Sequence, residues 1–203
     1  MKNEKSEGAK KRIVVAATGA SGMPLLFKCL ELINKDPDFT SILIMSDAAK
    51  LTLKQECGLS SEAVEAMADE VLNPLQIGAG PASGSYETAG MLIVPCSMKT
   101  AAGICAGYAN SLILRAADVT IKEQRTLVLA ARETPLSRIH LRNLYELSQI
   151  PGVHIVPPMM VFYNNPETID DMVYHIAAKL VEPFGVKAKE YRRWQDCIDE
   201  SGI

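Results

Sequence analysis

Short apolar runs alternate along the chain with stretches that have helical spacing, and this alternation constrains the fold more than any other feature. The runs suited to strands cover residues 12–17, 42–45, 91–95, 127–131 and 153–156. Their continuous apolar character indicates strands buried on both faces, and the helical stretches between them supply the necessary cover. Since crossover connections are right-handed, the pattern predicts a doubly wound parallel sheet in a three-layer, Rossmann-like α/β fold.

The same pattern divides the chain into one domain and two polar ends. We expect residues 1–11 to be a polar flexible tail, because they are mostly charged and contain no apolar leader segment. Residues 12–186 hold every predicted strand and helix and form a single domain. Residues 187–203 carry too little apolar material for their own core, so we expect this C-terminal tail to dock on a neighbouring subunit.

Charge and composition argue against several classes of function. With 21 basic and 24 acidic side chains the formal net charge is -3, which gives no electrostatic reason for non-specific binding to nucleic acid or anionic membranes. No apolar run approaches the roughly 20 residues of a membrane-spanning helix. The five cysteines include no Cys-x-x-Cys pair, and the histidines lack metal-ligand spacing. We therefore expect a cytoplasmic protein with neither a disulfide framework nor a metal site.

Polar residues follow the apolar runs at the points where the predicted strands end. Because the carboxyl ends of parallel strands meet at one edge of the sheet, ligands bind there. The first run is followed by a glycine turn, whose backbone N–H groups suit an anion at a helix N-terminus. In chain order the strand-end groups are Gly19 to Gly22, Ser46, Ser97 to Thr100, Arg132 with Glu133, and Tyr163.

The glycine turn alone does not identify a ligand, since many nicotinamide-dependent dehydrogenases begin in the same way. Here the second strand ends in Met45-Ser46 and not in an acidic residue that would hold an adenosine ribose. The chain also lacks a Tyr-x-x-x-Lys pair and a phosphate loop ending in Gly-Lys-Ser/Thr. A mononucleotide such as FMN fits better, with its phosphate on the glycine turn and hydroxyl and amide donors along its ribityl chain.

The pair Arg132-Glu133 is the strongest candidate for acid/base chemistry. A carboxylate beside an arginine at a strand end suits proton transfer, but a surface ion pair or a helix N-terminal carboxylate explains the pair about equally well. A second phosphate could be neutralised by more distant cations if the fold or an oligomer brings them together: Arg115, Lys122, Arg125 and Lys179.

Together these motifs resemble one family, the UbiX-type flavin prenyltransferases, formerly described as phenylacrylic or aromatic acid decarboxylase subunits. The likeness extends from Lys11 to Gln195 and is carried by residues 19–22, 45–46, 48–49, 83–85, 95–100, 115–119, 122–123, 132–136, 157–158 and 162–163. It implies a flavodoxin-like fold and a homododecamer. It also implies a metal-independent transfer of the dimethylallyl group of dimethylallyl monophosphate to N5 and C6 of reduced FMN. The prenylated FMN would serve UbiD-type decarboxylases.

The resemblance also implies a role for each matching residue. FMN would be bound by Gly19, Ala20, Ser21, Ser46, Ser97, Met98, Lys99, Thr100 and Arg132. Tyr163 and Lys179 would hold the dimethylallyl phosphate, and Arg115 and Lys122 would take part in catalysis across subunit contacts. Glu133 would be the acid/base, although the departing phosphate is an alternative acceptor of the C6 proton.

Two positions depart from the pattern of the family. Lys179 stands where many relatives have arginine, which keeps the charge but loses the bidentate fork. Asp47 stands where relatives often have a basic residue.

Two other functions remain open at this point. One is an FMN-dependent decarboxylase of peptidyl or pantothenoyl cysteine, although the chain has Cys29 near where such enzymes carry a histidine and Met160 where they carry an asparagine. The other is a non-catalytic FMN carrier or partner of a decarboxylase, which would retain FMN without depending on Glu133.

Overall fold

The computed structural model describes residues 9–201, and within them six parallel strands form one sheet in the order β3-β2-β1-β4-β5-β6. In chain order the strands are β1 (Lys11–Ala17), β2 (Phe39–Met45), β3 (Glu70–Leu72), β4 (Gly90–Cys96), β5 (Thr126–Ala131) and β6 (Val153–Ile155). The chain reverses its direction of winding between β1 and β4, and this is the point at which a crevice opens in such sheets.

Helices cover both faces of the sheet. They are α1 (Met23–Lys35), α2 (Asp47–Cys57), α3 (Ser61–Glu65), α4 (Met98–Cys105), α5 (Leu112–Lys122), α6 (Arg138–Ser148), α7 (Ile169–Val181) and α8 (Trp194–Ser201). In the part of the chain that the structure describes, none of them is both long and apolar enough to cross a membrane.

Alternate residues of β1 face opposite sides of the sheet, as the pleat of a strand requires. Ile13 and Val15 belong to a core formed with α1, α2 and α7, whereas Val14 and Ala16 belong to a second core formed with α4, α5 and α6. Both cores are apolar, which explains why the runs in the sequence are continuous. The predicted three-layer, doubly wound fold is confirmed.

The edge strand β3 was missed by the sequence analysis. It has three residues, none of them buried, and pairs with Ile42 to Ile44 of β2. So short and exposed a segment has no apolar pattern to detect. Without β3, the remaining five strands have the flavodoxin order 2-1-3-4-5, so the expected flavodoxin-like topology is confirmed.

The two ends of the chain differ in part from the sequence-based expectation. Lys11 already belongs to β1, so the domain begins one residue earlier than expected, and residues 1–8 of the predicted flexible tail lie outside the described residues. The C-terminal tail packs on its own chain, where Tyr191 lies against His175 and the Lys187 N–H donates to Asp36 Oδ2 at 3.0 Å. Its docking on a neighbouring subunit stays a prediction.

Candidate active site

A cavity of about 330 Å³ opens at the carboxyl ends of β1, β2 and β4. This volume lies within the range of about 300–1,000 Å³ that is typical of small-molecule sites. Five of the predicted site residues line the cavity: Gly19, Ser46, Ser97, Lys99 and Thr100. The other lining residues are Thr18, Asp47, Ala48, Pro74, Leu75, Asn110, Ser111, Ile113 and Leu114.

Thr18 joins two strand ends beneath this cavity. Its buried hydroxyl donates to the Pro95 carbonyl oxygen at 2.9 Å and accepts the Ser97 N–H at 2.8 Å. Since Thr18 follows β1 and Ser97 follows β4, these bonds hold the two sides of the switch point together. Thr18 therefore connects the two strands that flank the crevice.

Three helices begin at the cavity, each with a serine N-cap. Ser46, Ser97 and Ser111 accept the backbone N–H three residues further on, at 3.1, 3.4 and 3.4 Å, in α2, α4 and α5. The first turns of α4 and α5 contain no acidic residue, whereas α2 carries Asp47. Helix N-termini attract anions through their free N–H groups and their dipoles, and the exposed Lys99 adds a positive charge. The beginnings of α4 and α5 are therefore suited to a phosphate.

The glycine turn lies close to the beginning of α2. A Cβ on Gly19 would lie 2.6 Å from the Ala48 Cβ, so glycine is needed for this close approach. Further along the turn, a carboxylate already occupies the N-terminus of α1. The N–H groups of Gly22 and Met23 donate to Glu56 Oε2 at 3.0 and 2.9 Å.

The surroundings of Glu56 keep it ionised. Desolvation raises the pKa of its carboxyl, but hydrogen bonds from Ser21, Met23 and Gly22 and the charge of Arg132 outweigh that effect and leave the pKa below its usual value. A phosphate at the N-terminus of α1 would meet this negative charge. The first turns of α4 and α5 contain no such carboxylate. The phosphate on the glycine turn stays a prediction.

Five other predicted residues at this edge do not line the cavity: Ala20, Ser21, Met98, Arg132 and Glu133. Ser21 is exposed, and its side chain hydrogen-bonds to Glu56. Ala20 and Met98 are buried, each with 8% of the residue exposed. Arg132 and Glu133 follow β5 and are exposed; the Arg132 N–H donates to the Cys96 carbonyl oxygen at 3.1 Å, and Glu133 Oε1 accepts the Thr134 N–H at 3.0 Å. Both reach the predicted edge of the sheet but face solvent in a single chain.

Arg115 and Lys122 lie on α5. Arg115 donates to the Ala82 carbonyl oxygen at 3.2 Å and pairs with Asp118 at 2.6 Å, while Lys122 pairs with Glu123. The helix begins at the cavity and has 11 residues, so Lys122 lies about 15 Å away at its far end. Within one chain Lys122 does not reach the cavity, and its contribution across a subunit contact stays a prediction.

Tyr163 and Lys179 lie in a second cluster, formed by α7 and the C-terminal tail. The Tyr163 hydroxyl is 3.2 Å from His175 Nε2, and the Trp194 ring meets the Tyr163 ring edge to face at 5.3 Å between centroids. Lys179 Nζ is 2.7 Å from Glu182 Oε2, and this hydrogen bond is the main cause of a raised Lys179 pKa. Lys179 is therefore a stable cation.

Comparison with known proteins identifies the family. A model of the Flavoprotein family matches residues 1–181. A protein of Streptomyces sp. (strain D7), described as a probable UbiX-like flavin prenyltransferase, is 50% identical over 183 residues, which cover 90% of this chain and 91% of that protein. The chain belongs to the UbiX-like flavin prenyltransferases. The family resemblance found in the sequence is confirmed.

Two solved UbiX structures share the fold of this UbiX-like chain. A dodecameric FMN-dependent UbiX-like decarboxylase from Escherichia coli O157:H7 has a TM-score of 0.88 and 48% identity, and the match covers 91% of this chain and 99% of that one. A UbiX protein named AnUbiX, in complex with FMN and dimethylallyl pyrophosphate, has a TM-score of 0.88 and 42% identity, with 91% and 97% covered.

Several site residues of the UbiX-like chain were missed from its sequence. Ser111 precedes the apolar run that begins α5, so its role as an N-cap was detectable as a local signal. Leu75 comes from the loop before β4, which is anchored by the Leu112 N–H donating to the Pro74 carbonyl oxygen at 2.8 Å. Glu56 is 34 residues from Gly22, and no local pattern connects them.

Nothing in the described part of the UbiX-like chain is arranged as a metal site. Among residues 9–197, whose side chains the structure describes, no group of three or more His, Cys, Asp or Glu side chains is placed to hold a metal ion.

The buried His175 makes the stability of the UbiX-like fold depend on pH. Desolvation and the nearby charge of Lys179 hold the His175 pKa below its usual value of 6.5. As pH falls, the unfolded chain therefore binds this proton before the folded chain does. His175 contributes to the stability of the fold above pH 6.5, and this contribution is lost as pH falls towards the pKa of His175 in the folded state. We expect the melting temperature to fall between pH 7 and pH 5.5, and to fall less in His175→Gln. Thermal unfolding at each pH measures this. If the melting temperatures of the wild-type protein and His175→Gln fall equally between pH 7 and pH 5.5, His175 is not the cause of the pH dependence.

Proposed function

We propose that this chain is a flavin prenyltransferase. It transfers the dimethylallyl group of dimethylallyl monophosphate to N5 and C6 of reduced FMN, releases inorganic phosphate, and makes prenylated FMN for UbiD-type decarboxylases. The observation that carries the proposal is the cavity at the switch point, where Gly19, Ser46, Ser97, Lys99 and Thr100 come together from three strand ends. These are residues of the motifs by which the chain resembles the family.

The chemical character of the cavity fits FMN. The beginnings of α4 and α5 and the charge of Lys99 would hold its phosphate, and Ser46 and Asn110 offer polar groups for its ribityl chain. Leu75, Ile113 and other apolar residues line the same space and suit the faces of the ring. When bound in its reduced form, FMN supplies the ring nitrogen and carbon that are alkylated.

The cationic residues of the chain would bind the second substrate. When the allylic C–O bond breaks, the phosphate leaves with the electron pair, so its growing charge needs hydrogen-bond donors and cations. Tyr163 and Lys179 provide a hydroxyl and an ammonium group, and Arg115 and Lys122 would arrive from neighbouring subunits. In the single chain the three cations are paired with Glu182, Asp118 and Glu123. Substrate phosphate would replace these carboxylate partners.

Glu133 would move the proton. Its exposed carboxylate lies at the carboxyl edge of the sheet, after the strand next to β4. We assign it to accept the proton lost from flavin C6. Glu133 is exposed in one chain, and the adjoining subunits of the proposed oligomer would enclose it.

Exposed apolar side chains support assembly into a homo-oligomer, which we propose is a dodecamer. On α6 and just before it, Ile139 is 60% exposed, Tyr145 62%, Leu141 53% and Leu136 42%. Met159, Met160 and Phe162 are exposed in the loop before α7. Apolar side chains at this density mark protein contacts.

We assign the protein to the cytoplasm. All five cysteines lie in the described part of the chain and carry free thiols, which suits a reducing compartment.

The proposed function is tested by anaerobic incubation with chemically reduced FMN and dimethylallyl monophosphate, followed by mass spectrometry of the released flavin. We expect a flavin that is heavier by one prenyl group and absent from the enzyme-free control. Tightly bound but unmodified FMN would overturn the transferase and favour an FMN carrier. A parallel incubation with a peptide ending in cysteine would detect cysteine decarboxylation.

The proposed contact between Lys99 and the FMN phosphate leads to a separate prediction. Replacing Lys99 by Met should weaken FMN binding by about tenfold or more, because a charge-assisted contact to phosphate is lost. Quenching of FMN fluorescence measures the affinity. The matched control is Lys54→Met, since Lys54 is an exposed lysine in the last turn of α2 and does not line the cavity. Equal affinities of the two variants would contradict the assignment of Lys99.

A further inference from the structure

His175 is a buried histidine to which the proposed chemistry gives no role. It lies in the second turn of α7 and is 6% exposed. Both ring nitrogens have partners: Nε2 is 3.2 Å from the Tyr163 hydroxyl, and Nδ1 is 3.2 Å from the side-chain nitrogen of Asn164. A histidine held at both nitrogens can orient the hydroxyl that it contacts.

The partner at Nδ1 determines where the ring proton lies. An amide nitrogen only donates hydrogen bonds, so Nδ1 accepts, and the single proton of the neutral ring is on Nε2. In this orientation Asn164 Oδ1 is buried and has no hydrogen-bond partner among the described residues. The opposite orientation of the amide would place its two N–H donors at that buried position instead. Two unpaired donors are less favourable there than one unpaired carbonyl oxygen.

The protonation state of His175 then determines where the hydroxyl proton of Tyr163 points. Desolvation and the charge of Lys179 lower the His175 pKa, which keeps the ring neutral near pH 7. The Nε2–H donates to the Tyr163 oxygen, so the hydroxyl proton of Tyr163 points to another acceptor.

Packing holds the His175 ring in this orientation. The Tyr191 ring lies against it at 4.8 Å between centroids, and the Tyr163 ring meets it edge to face at 5.6 Å. Lys179 is four residues further along α7 and thus on the same face of the helix. An anion bound by Lys179 would therefore lie on the side of the helix where Tyr163 is held.

We propose that His175 is a positioning residue, which holds the Tyr163 oxygen through Nε2–H so that the Tyr163 proton is directed to the phosphate of the allylic substrate. The inference rests on the proposed function, in which Tyr163 binds that phosphate. It adds a residue that acts through Tyr163 and does not itself touch the substrate.

Three variants of His175 test the inference kinetically. Glutamine places an amide N–H near the position of Nε2, asparagine places its amide near Nδ1, and phenylalanine keeps the ring shape without either nitrogen. We expect kcat to fall about tenfold in His175→Phe and His175→Asn and to stay within about threefold in His175→Gln, as for the loss of one oriented hydrogen bond. FMN affinity should be unchanged in all three, because the flavin cavity lies elsewhere.

A double-mutant cycle distinguishes positioning from a structural role. In the Tyr163→Phe background, His175→Phe should lower kcat by less than about twofold, since the hydroxyl that it orients is already absent. A full tenfold further loss would overturn the inference. Equal activity of His175→Phe and the wild-type protein would overturn it as well, and would leave the proposed function intact.

The protonation state of His175 gives a readout that does not depend on activity. The chain has three histidines, His140, His154 and His175, so the ¹⁵N signals of His175 are those missing from the His175→Gln spectrum. In the protein without ligands we expect a protonated Nε2 and an unprotonated Nδ1 at pH 7. A proton on Nδ1 would overturn the inference. A wild-type protein that shows this tautomer but no prenyl transfer would instead overturn the proposed function, and the role of His175 with it.

Discussion

Replacing Glu133 by Gln should slow prenyl transfer by about 100-fold or more, because a positioned acid/base contributes on the order of 100-fold to 10,000-fold to the rate. FMN affinity should stay within about twofold. Glutamine keeps an oxygen that can accept the Thr134 N–H, as Glu133 Oε1 does at 3.0 Å, so the strand end should keep its shape. Single-turnover formation of the prenylated flavin, followed by mass spectrometry, measures the rate, and FMN fluorescence measures the affinity.

A second exposed carboxylate serves as the control for Glu133. Glu87→Gln removes the same charge near the amino ends of β4 and β5, away from the flavin cavity, and should leave the rate unchanged. If Glu133→Gln also keeps the wild-type rate, Glu133 is not the acid/base, and the departing phosphate becomes the acceptor of the C6 proton.

Co-assembly of two inactive variants, Lys122→Met and Glu133→Gln, should restore part of the activity. Lys122 lies at the far end of α5 from the cavity and Glu133 lies at the carboxyl edge of the sheet, so one chain does not bring them together. If each site takes Glu133 from one subunit and Lys122 from its neighbour, random co-assembly of Lys122→Met with Glu133→Gln leaves about one site in four with both residues intact. Each variant alone should have about 1% of wild-type activity or less.

The mixing experiment uses two affinity tags and co-expression, so that only mixed oligomers are assayed. The matched control mixes Arg132→Met with Glu133→Gln. Arg132 and Glu133 are adjacent in the chain and enter a site from the same subunit, so no site in this mixture has both intact. The control should therefore show no recovery. A Lys122 and Glu133 mixture that also stays inactive would contradict sites shared between subunits.

Four of the five strands that the sequence predicted share one property. Each of β1, β2, β4 and β5 is buried by helices on both faces, so its apolar run is continuous and can be detected locally; in β1, residues 13–17 are all buried. The fifth predicted strand, β6, is only partly buried and lies at the other edge of the sheet. The exposed edge strand β3 has no such run and was missed.

The sequence by itself determined the family, the doubly wound fold and five residues that line the cavity. Those residues were predictable because parallel topology brings all strand ends to one edge, so position after a strand is enough to locate them. Only the tertiary structure decided where the negative and positive charges of the site lie. It places Glu56 at the N-terminus of α1, brings Lys99 and the acid-free first turns of α4 and α5 to the cavity, and separates Lys122 from the cavity by the length of α5. Each of these facts depends on contacts or distances between residues far apart in the chain, which local spacing does not encode.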